Sequence, residues 1–576
     1  MMKNEGKKAI AVVKVQQKKK SNGRNNAGND DKKNTESDEK AGAAKKVMDA
    51  AGDLPFFHDE EGQPCVVIPV NSHWETYRMK NRNVRRWLNR QYYEKYRTLP
   101  SSEIINSVLS VLEGKAIFDG LCHKLSFRVA KQGDAFLYDV GDKQWRVIEI
   151  TPSGWRFSDH PYVFQRGSNT AAQVEPVRGG DIRLVLKFLN LPKEGDKLLL
   201  LVMIVAALVP GIPHPVLLFI GEHGAAKSTS TKVVRRLVDP AVAELLSLPN
   251  KPDDMALLLH KNYCPALDNL DSLQGWQSDI LCRAVSGGGI EKRRLYTDDD
   301  EVILKFLRFI ILNGINPAVT RPDLIDRTTC LTLERIPDEN RKQEADFWAE
   351  FDQAHPLIFG GMLDTLSSAM RIYPSVKLEK LPRMADFCKW GFAIAEALGG
   401  KGNEFFKAYR ENISHQNKIA IENHPVASAI KVFFDGKSVW QGRPSDLLTE
   451  LEKVAAEEKI DMKAKSWPKA AHILTRRLNA IKTNLMGIGI RIITGEHTGD
   501  NRMIRLEEVK QNSVSSGGPP EDDPDWLAAA NASDEGSVKS SVSPNPMSDK
   551  AFDATDANNA VSESLNESGD EPDWIR

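Results

Sequence analysis

Cysteine is scarce in this chain. Six occur in 576 residues, at Cys65, Cys122, Cys264, Cys282, Cys330 and Cys388, and no two form a Cys-x-x-Cys pair. Such spacing argues against a zinc ribbon and a disulfide framework, and suits a reducing compartment. Long apolar runs are missing too. The longest, Leu198–Pro210, falls short of the roughly 20 residues that span a bilayer and reads as a buried helix. Behind the basic N-terminus (Lys3, Lys7, Lys8, Lys14, Lys18–Lys20) there is no apolar stretch with a small-residue cleavage site, so a signal peptide is not expected. The expected setting is cytoplasmic, with no membrane partner. Net charge is also near zero, at −1, but it is unevenly placed. Lysine crowds the first residues, while Asp, Glu, Ser, Asn and Gly crowd the stretch after Lys510. Neither end has the apolar periodicity needed to offset chain entropy, so Met1–Lys45 and Gln511–Arg576 are expected to be disordered.

Between those ends the chain is long enough for two to four domains. Phe56–Val70 reads as a β-unit with a turn at Asp59–Gly62. His73–Arg97 reads as a helical segment mixing Arg78, Lys80, Arg82, Arg85, Arg86, Arg90, Lys95 and Arg97 with Trp74, Tyr77, Trp87, Tyr92, Tyr93 and Tyr96. Such a mixture binds nucleic-acid backbones and stacks on bases; a solvated basic helix with aromatics in a local core has the same composition. Ser101–Glu113 predicts a helix capped by serine. Alternation from Leu125 to Val163 predicts a small antiparallel sheet. Pro176–Lys193 and Asp196–Leu208 predict helices.

The strongest signal is "PVLLFIGEHGAAKSTSTKVVRRLVD". An apolar strand, Val216–Ile220, runs into a loop of Gly221, Glu222, His223, Gly224, Ala225, Ala226, Lys227, Ser228 and Thr229, then into a helix from Lys227 to Val238. In G-x-x-x-x-G-K-[ST], small residues let backbone N–H groups close around phosphate oxygens. The lysine reaches the β- and γ-phosphates, the hydroxyl ligates Mg²⁺, and the helix dipole favours the anion. ATP and Mg²⁺ are therefore the expected ligands. Ala226 stands where the second glycine belongs. Downstream, "NYCPALDNLDSL" predicts a strand ending at Asp268, the expected metal carboxylate beside Ser228. Asn269 occupies the place where many such enzymes carry a catalytic glutamate, and Asp271 is the substitute. A hairpin around Arg293–Val302 is predicted to precede a buried strand, Phe309–Leu312, that delivers Asn313 to touch phosphate or orient water; turn capping is the plainer role for it. Arg321 and Arg327 in "TRPDLIDRTTC" are candidates to reach a neighbouring subunit's phosphate, or to pair with Asp323 or Asp326.

The order of these pieces resembles the AAA+ ATPases, and within them the superfamily 3 helicase-like ATPases of phages, plasmids and mobile elements. The residues that carry it are GEHGAAKS, the strand ending at Asp268, the hairpin before Asn313, and RPDLIDR. "GGGIEKRRLYTDDDE" and "LPRMADFCKW" also resemble stretches of ATP-binding proteins associated with phage-type primase-helicases. The resemblance implies a P-loop NTPase core, a homo-hexamer, DNA as partner together with replication proteins, and a hairpin that grips DNA through Lys292, Arg293 and Arg294. "WQGRPSDLLTELEKVA…SWPKAAHILTRRLNAIKTNLMGIGIRIITGEHTGDNRMIRLEEV" is similar to a terminal winged-helix domain. Its helix is expected to open at a serine cap and to present Lys469, Arg476, Arg477 and Lys482 to DNA.

The expected fold class is α/β. Residues 1–50 are a basic tail, 51–175 an N-terminal α+β domain, and 176–336 the P-loop ATPase core. Residues 337–423 are a helical subdomain, 424–508 the winged helix and 509–576 an acidic tail. The expected activity is ATP hydrolysis by a DNA helicase or translocase of a mobile-element replication system. The alternative is an initiator or loader that switches with ATP and barely turns over.

Overall fold

A computed structural model describes residues 30–160, 162–293, 301–315, 319, 321–378, 382–422, 424–464, 466–498 and 501–509. The fold is mixed α/β, with five sheets among the described residues. At the N-terminal side, strands Phe56–His58, Pro64–Val70 and His73–Arg78 form a sheet with the short strand Leu121–Cys122. Helices Arg82–Tyr96 and Ser102–Phe118 follow the third strand. A second sheet, an antiparallel meander, is built from Val129–Gln132, Ala135–Asp139, Val147–Thr151 and Gly154–Ser158.

Three expectations are corrected here. Part of the basic tail is helical: Asp30–Ala51 forms a helix, because Ala44, Val47, Met48 and Ala51 recur at helical spacing and join the core beneath the two helices. His73–Arg97 is not one helix. Its first six residues pair with Pro64–Val70 in antiparallel register, Cys65 opposite Arg78 and Val70 opposite His73. The helix starts only after Asn81, whose side chain accepts from Asn83 N–H as an N-cap. Pro176–Lys193 holds a 3₁₀ turn at Ile182–Phe188 rather than a helix, since prolines and Gly179–Gly180 interrupt it. That segment lies directly on the long helix Glu344–Ile372. A Cβ on Gly360 would stand 1.8 Å from the Val177 carbonyl oxygen, so only glycine permits this approach.

The central sheet has the order Ala266–Leu270, Ile311–Gly314, Val216–Ile220, Thr328–Thr332, parallel throughout. Parallel strands covered on both faces read as continuous apolar runs, and Val216, Leu217, Leu218 and Phe219 are fully buried. Helix Glu194–Ala206 is buried along its whole length from Leu198, which accounts for its unbroken apolar sequence. Helices Glu344–Ile372, Ala385–Ala397 and Gly402–Glu422 complete this part. The carboxyl ends of the four strands, where ligands of open α/β sheets bind, all lie at the same edge.

Helix Lys227–Val238 follows the central strand Val216–Ile220 and is anchored at its far end by a buried ion cluster. Asp239, its C-cap, accepts from Arg128 Nε at 2.7 Å, from Arg235 Nη1 at 2.7 Å and from Cys264 N–H at 3.0 Å. Burial alone would raise the pKa of this carboxyl; the Arg235 and Arg128 charges overcome that and lower it to about 2. Arg128 also donates to the carbonyls of Asp139, Ala171 and Pro240, tying the meander to the helix.

The C-terminal region has its own core, including Ile430, Leu447, Leu474, Leu478, Ile504 and Leu506. Its elements run Pro425–Phe434, strand Val439–Gly442, helices Pro444–Glu457 and Ala471–Gly487, and strands Ile490–Thr498 and Asn501–Glu508. The longer helix opens at Ala471, with no side-chain cap from Ala470; Ser466 and Pro468 lie in the turn before it and do not cap it.

Candidate active site

The loop Gly221–Ala226 leaves the central strand and enters helix Lys227–Val238. Two residues carry left-handed backbone, Gly224 at φ 82° and Ala226 at φ 56°. Alanine at the second-glycine position thus does more than allow close approach: it holds a conformation that glycine adopts without strain. Lys227 Nζ donates to the carbonyls of Gly221, at 2.8 Å, and Glu222, at 2.9 Å. Burial pulls its ammonium pKa below the ordinary value, and the Asp268 charge acts in the opposite direction.

Ser228 Oγ donates to Asp268 Oδ1 at 2.8 Å. The same oxygen accepts from Asn313 Nδ2 at 2.6 Å. Asn313, fully buried at the end of the neighbouring strand, also donates to Thr231 Oγ1 at 2.9 Å and accepts from Asn269 N–H at 2.9 Å. Both of its N–H bonds are used within the protein, so it holds Asp268 and the loop helix together rather than capping a turn. Asn269 sits at φ 57° where the strand register shifts, a conformation that asparagine tolerates better than glutamate. Asp271 is exposed beyond the strand.

Among the described residues, Asp268 Oδ1 is bonded by the neutral donors Ser228 and Asn313, and no lysine or arginine forms an ion pair with it. A carboxylate beside a serine hydroxyl, with a lysine nearby, is a donor set that fits Mg²⁺ shared with a phosphate, since Mg²⁺ takes one or two carboxylates and keeps other positions for water and substrate oxygens. Among the described residues no three His, Cys, Asp or Glu side chains gather at one point.

The two candidate arginines are paired within their own chain. Arg321 Nη1 donates to Gly275 O at 2.7 Å and to Asp279 at 2.6 Å. Arg327 Nε donates to Ser286 Oγ at 3.1 Å and its guanidinium pairs with Asp323. Lys292 and Arg293 lie on strand Gly289–Arg293, paired with Glu301–Lys305 so that Arg293 faces Glu301 in the register; Arg294 lies outside the described residues. In the C-terminal region Lys469, Arg476 and Lys482 are exposed, but Arg477 is half-buried. Adjacent residues on a helix point about 100° apart, so Arg476 and Arg477 do not share a face. Lys469 precedes the helix.

Sequence reasoning missed Thr231, which carries no pattern signal, and Arg341 and Arg335. Arg341 Nη2 stands 3.1 Å from where a Cβ on Gly224 would be, and Arg335 Cγ 3.9 Å. Only a chain reversal more than a hundred residues downstream brings them there.

The fold and site define a mixed α/β protein with a strand–loop–helix and an acidic strand at one sheet edge. Residues 182–417 match the family model of the actinomycete integrative conjugative element replication protein, and residues 426–521 match the C-terminal domain of that same family. No curated protein matches the chain. Among solved structures, the C-terminal region of NrS-1 is similar at 11% identity, covering 81% of this chain and 98% of that one, with a TM-score of 0.36. JCV helicase is similar at 12% identity, covering 36% and 67%, with a TM-score of 0.20. Both TM-scores are too low to fix a fold. No helix among the described residues is long and apolar enough to cross a membrane.

Proposed function

We propose that this chain is an ATP-hydrolysing DNA helicase or translocase of a mobile-element replication system. The observation that carries the reading is Asp268 Oδ1, shared by Ser228 of the loop helix and Asn313 of the middle strand, with no cationic side chain paired to it among the described residues. The match to a conjugative-element replication family supports the replication setting. Lys227 exchanges the loop carbonyls for the β- and γ-phosphates of ATP. Ser228 and Asp268 would hold Mg²⁺, which when bound would supply neutralisation of the phosphate charge. Asn313 keeps the Asp268 carboxylate aimed at that position. Arg327, or Arg321, leaves its aspartate partner and reaches the phosphate of an adjacent subunit in a hexamer. The paired hairpin, with Lys292 and Arg293, and the C-terminal region contact DNA; Arg294, outside the described residues, is proposed to act with them. The helix–strand–helix–helix–strand–strand order of that region supports the winged-helix reading, with Lys469, Arg476 and Lys482 toward phosphates.

A second reading is favoured by one residue. Asn269 stands where a water-activating glutamate would, on backbone that suits asparagine, and Asp271 lies exposed beyond the strand. An initiator or loader that binds ATP and turns over slowly needs no such base. A DNA-stimulated ATPase assay separates the two: a helicase or translocase shows turnover raised severalfold by DNA, and a switch shows ATP binding with no stimulated turnover.

A further inference from the structure

The segment after strand Thr328–Thr332 does not leave the nucleotide loop. Leu333 N–H donates to Ile220 O at 2.8 Å, and Ile336 N–H reaches Gly224 O at 3.3 Å. Asn190 fixes the same stretch from the other side, its Nδ2 donating to Glu334 O at 2.9 Å. Backbone bonds therefore hold Leu333–Ile336, with Arg335, beside the loop, and Arg341 reaches it through its side chain. Arg341 Nη2 lies 3.1 Å from where a Cβ on Gly224 would stand, beside a glycine whose φ is 82°.

The present partner of both arginines is Asp338, 2.8 Å from Arg341 and 3.8 Å from Arg335. Its side chain is 72% exposed and the arginines are about half-exposed, and ion pairs of that kind contribute at most about 1 kcal/mol. A polyphosphate on the loop brings several negative charges and a row of acceptor oxygens to a guanidinium that binds them two at a time. Exchange of Asp338 for phosphate is therefore favourable, and Arg341 needs no backbone movement to reach the loop.

We propose that Arg341, assisted by Arg335, is a phosphate-binding residue supplied by the same chain, completing the cationic set begun by Lys227. It rests on the ATP reading given above. It differs in kind from Arg321 and Arg327, whose roles require a second subunit.

The test is titration of the full-length protein with a fluorescent, non-hydrolysable ATP analogue and Mg²⁺, comparing wild type with Lys227→Ala, Arg341→Ala, Arg341→Lys and Arg335→Ala/Arg341→Ala. Arg341→Ala is expected to weaken binding by about tenfold, the scale of one charge-assisted bond. Arg341→Lys should recover much of that, the double variant should lose more, and the melting temperature without nucleotide should stay unchanged. If Lys227→Ala loses binding while Arg341→Ala stays within twofold of wild type, this proposal fails alone. A loss in Arg341→Ala that comes with a lowered nucleotide-free melting temperature and no rescue by lysine marks a structural arginine, and overturns it too. If wild type does not bind, or Lys227→Ala binds as wild type does, the ATP reading fails and takes this proposal with it.

Discussion

Helix Lys227–Val238 has an aspartate at each end, and the two are held in opposite ways. Asp239 is buried with Arg128 and Arg235, each within 2.7 Å, and a backbone N–H takes what is left of its second oxygen. Among the described residues, the side chain of Asp268 bonds a hydroxyl and an amide. A buried carboxylate whose charge is already balanced by the protein has a structural part to play. One bonded by neutral groups at a strand end still has charge to offer to a cation from outside. The same residue type thus separates by its partners: two guanidinium groups make Asp239 an anchor, while the half-buried Asp268 is the proposed site.

The largest expected effect lies at the anchor. Asp239→Ala leaves two arginines buried without a counter-charge and should cost about 3–5 kcal/mol in urea unfolding; a loss below about 1 kcal/mol would break the comparison. The acid response follows from the lowered pKa. A carboxyl shifted from 3.8 to about 2 contributes stability that is fully present above its unfolded value and is lost as pH falls through the range from 3.8 to about 2. Asp239→Asn should flatten that part of the stability profile.

At the site the effect should be on function instead. Asp268→Asn keeps the shape and should change unfolding stability by about 1 kcal/mol, yet remove Mg²⁺-dependent ATP turnover. Turnover that survives this change would return Asp268 to the structural class.

The C-terminal region allows a smaller contrast of the same kind, between neighbours. Arg476→Ala, on the exposed face, should reduce the salt dependence of duplex binding by about one unit of slope with no change in melting. Arg477→Ala should move the slope less and stability more, because its stem is half-buried. Equal slopes for the two variants would mean that both reach DNA.

The smallest expected effect is at Ala226. Its left-handed backbone costs an L-residue roughly 1–2 kcal/mol, so Ala226→Gly should stabilise the protein by about 1 kcal/mol. A loss on that change would mean that the loop is held by contacts that the glycine lacks.

What the sequence made legible was local. Strand Val216–Ile220 and helix Lys227–Val238 stand where the apolar run and the Gly–Lys pattern put them, and Asp268 and Asn313 were visible as polar residues closing apolar strands. What escaped it depends on distance along the chain. The Arg128–Asp239 bond spans 111 residues, and nothing near either residue announces the other. Arg341 reaches Gly224 only because the strand Thr328–Thr332 pairs beside the central one. His73–Arg97 was misread because basic and aromatic composition carries no period; pairing with Pro64–Val70 decided its first part. Arg477 was misread as exposed because it was grouped with its neighbour by charge, while the helix turns the two apart.

The central claim, that the Asp268 end of the helix is the ligand end, is tested most directly by the shift in unfolding free energy that Mg²⁺-ATP produces in wild type and in Lys227→Ala. At about 100 times the dissociation constant a ligand bound only by the native state adds about 2.7 kcal/mol. Wild type is expected to gain that much and Lys227→Ala almost nothing, with equal stability when no nucleotide is present. An equal gain in both proteins, or none in wild type, would contradict it.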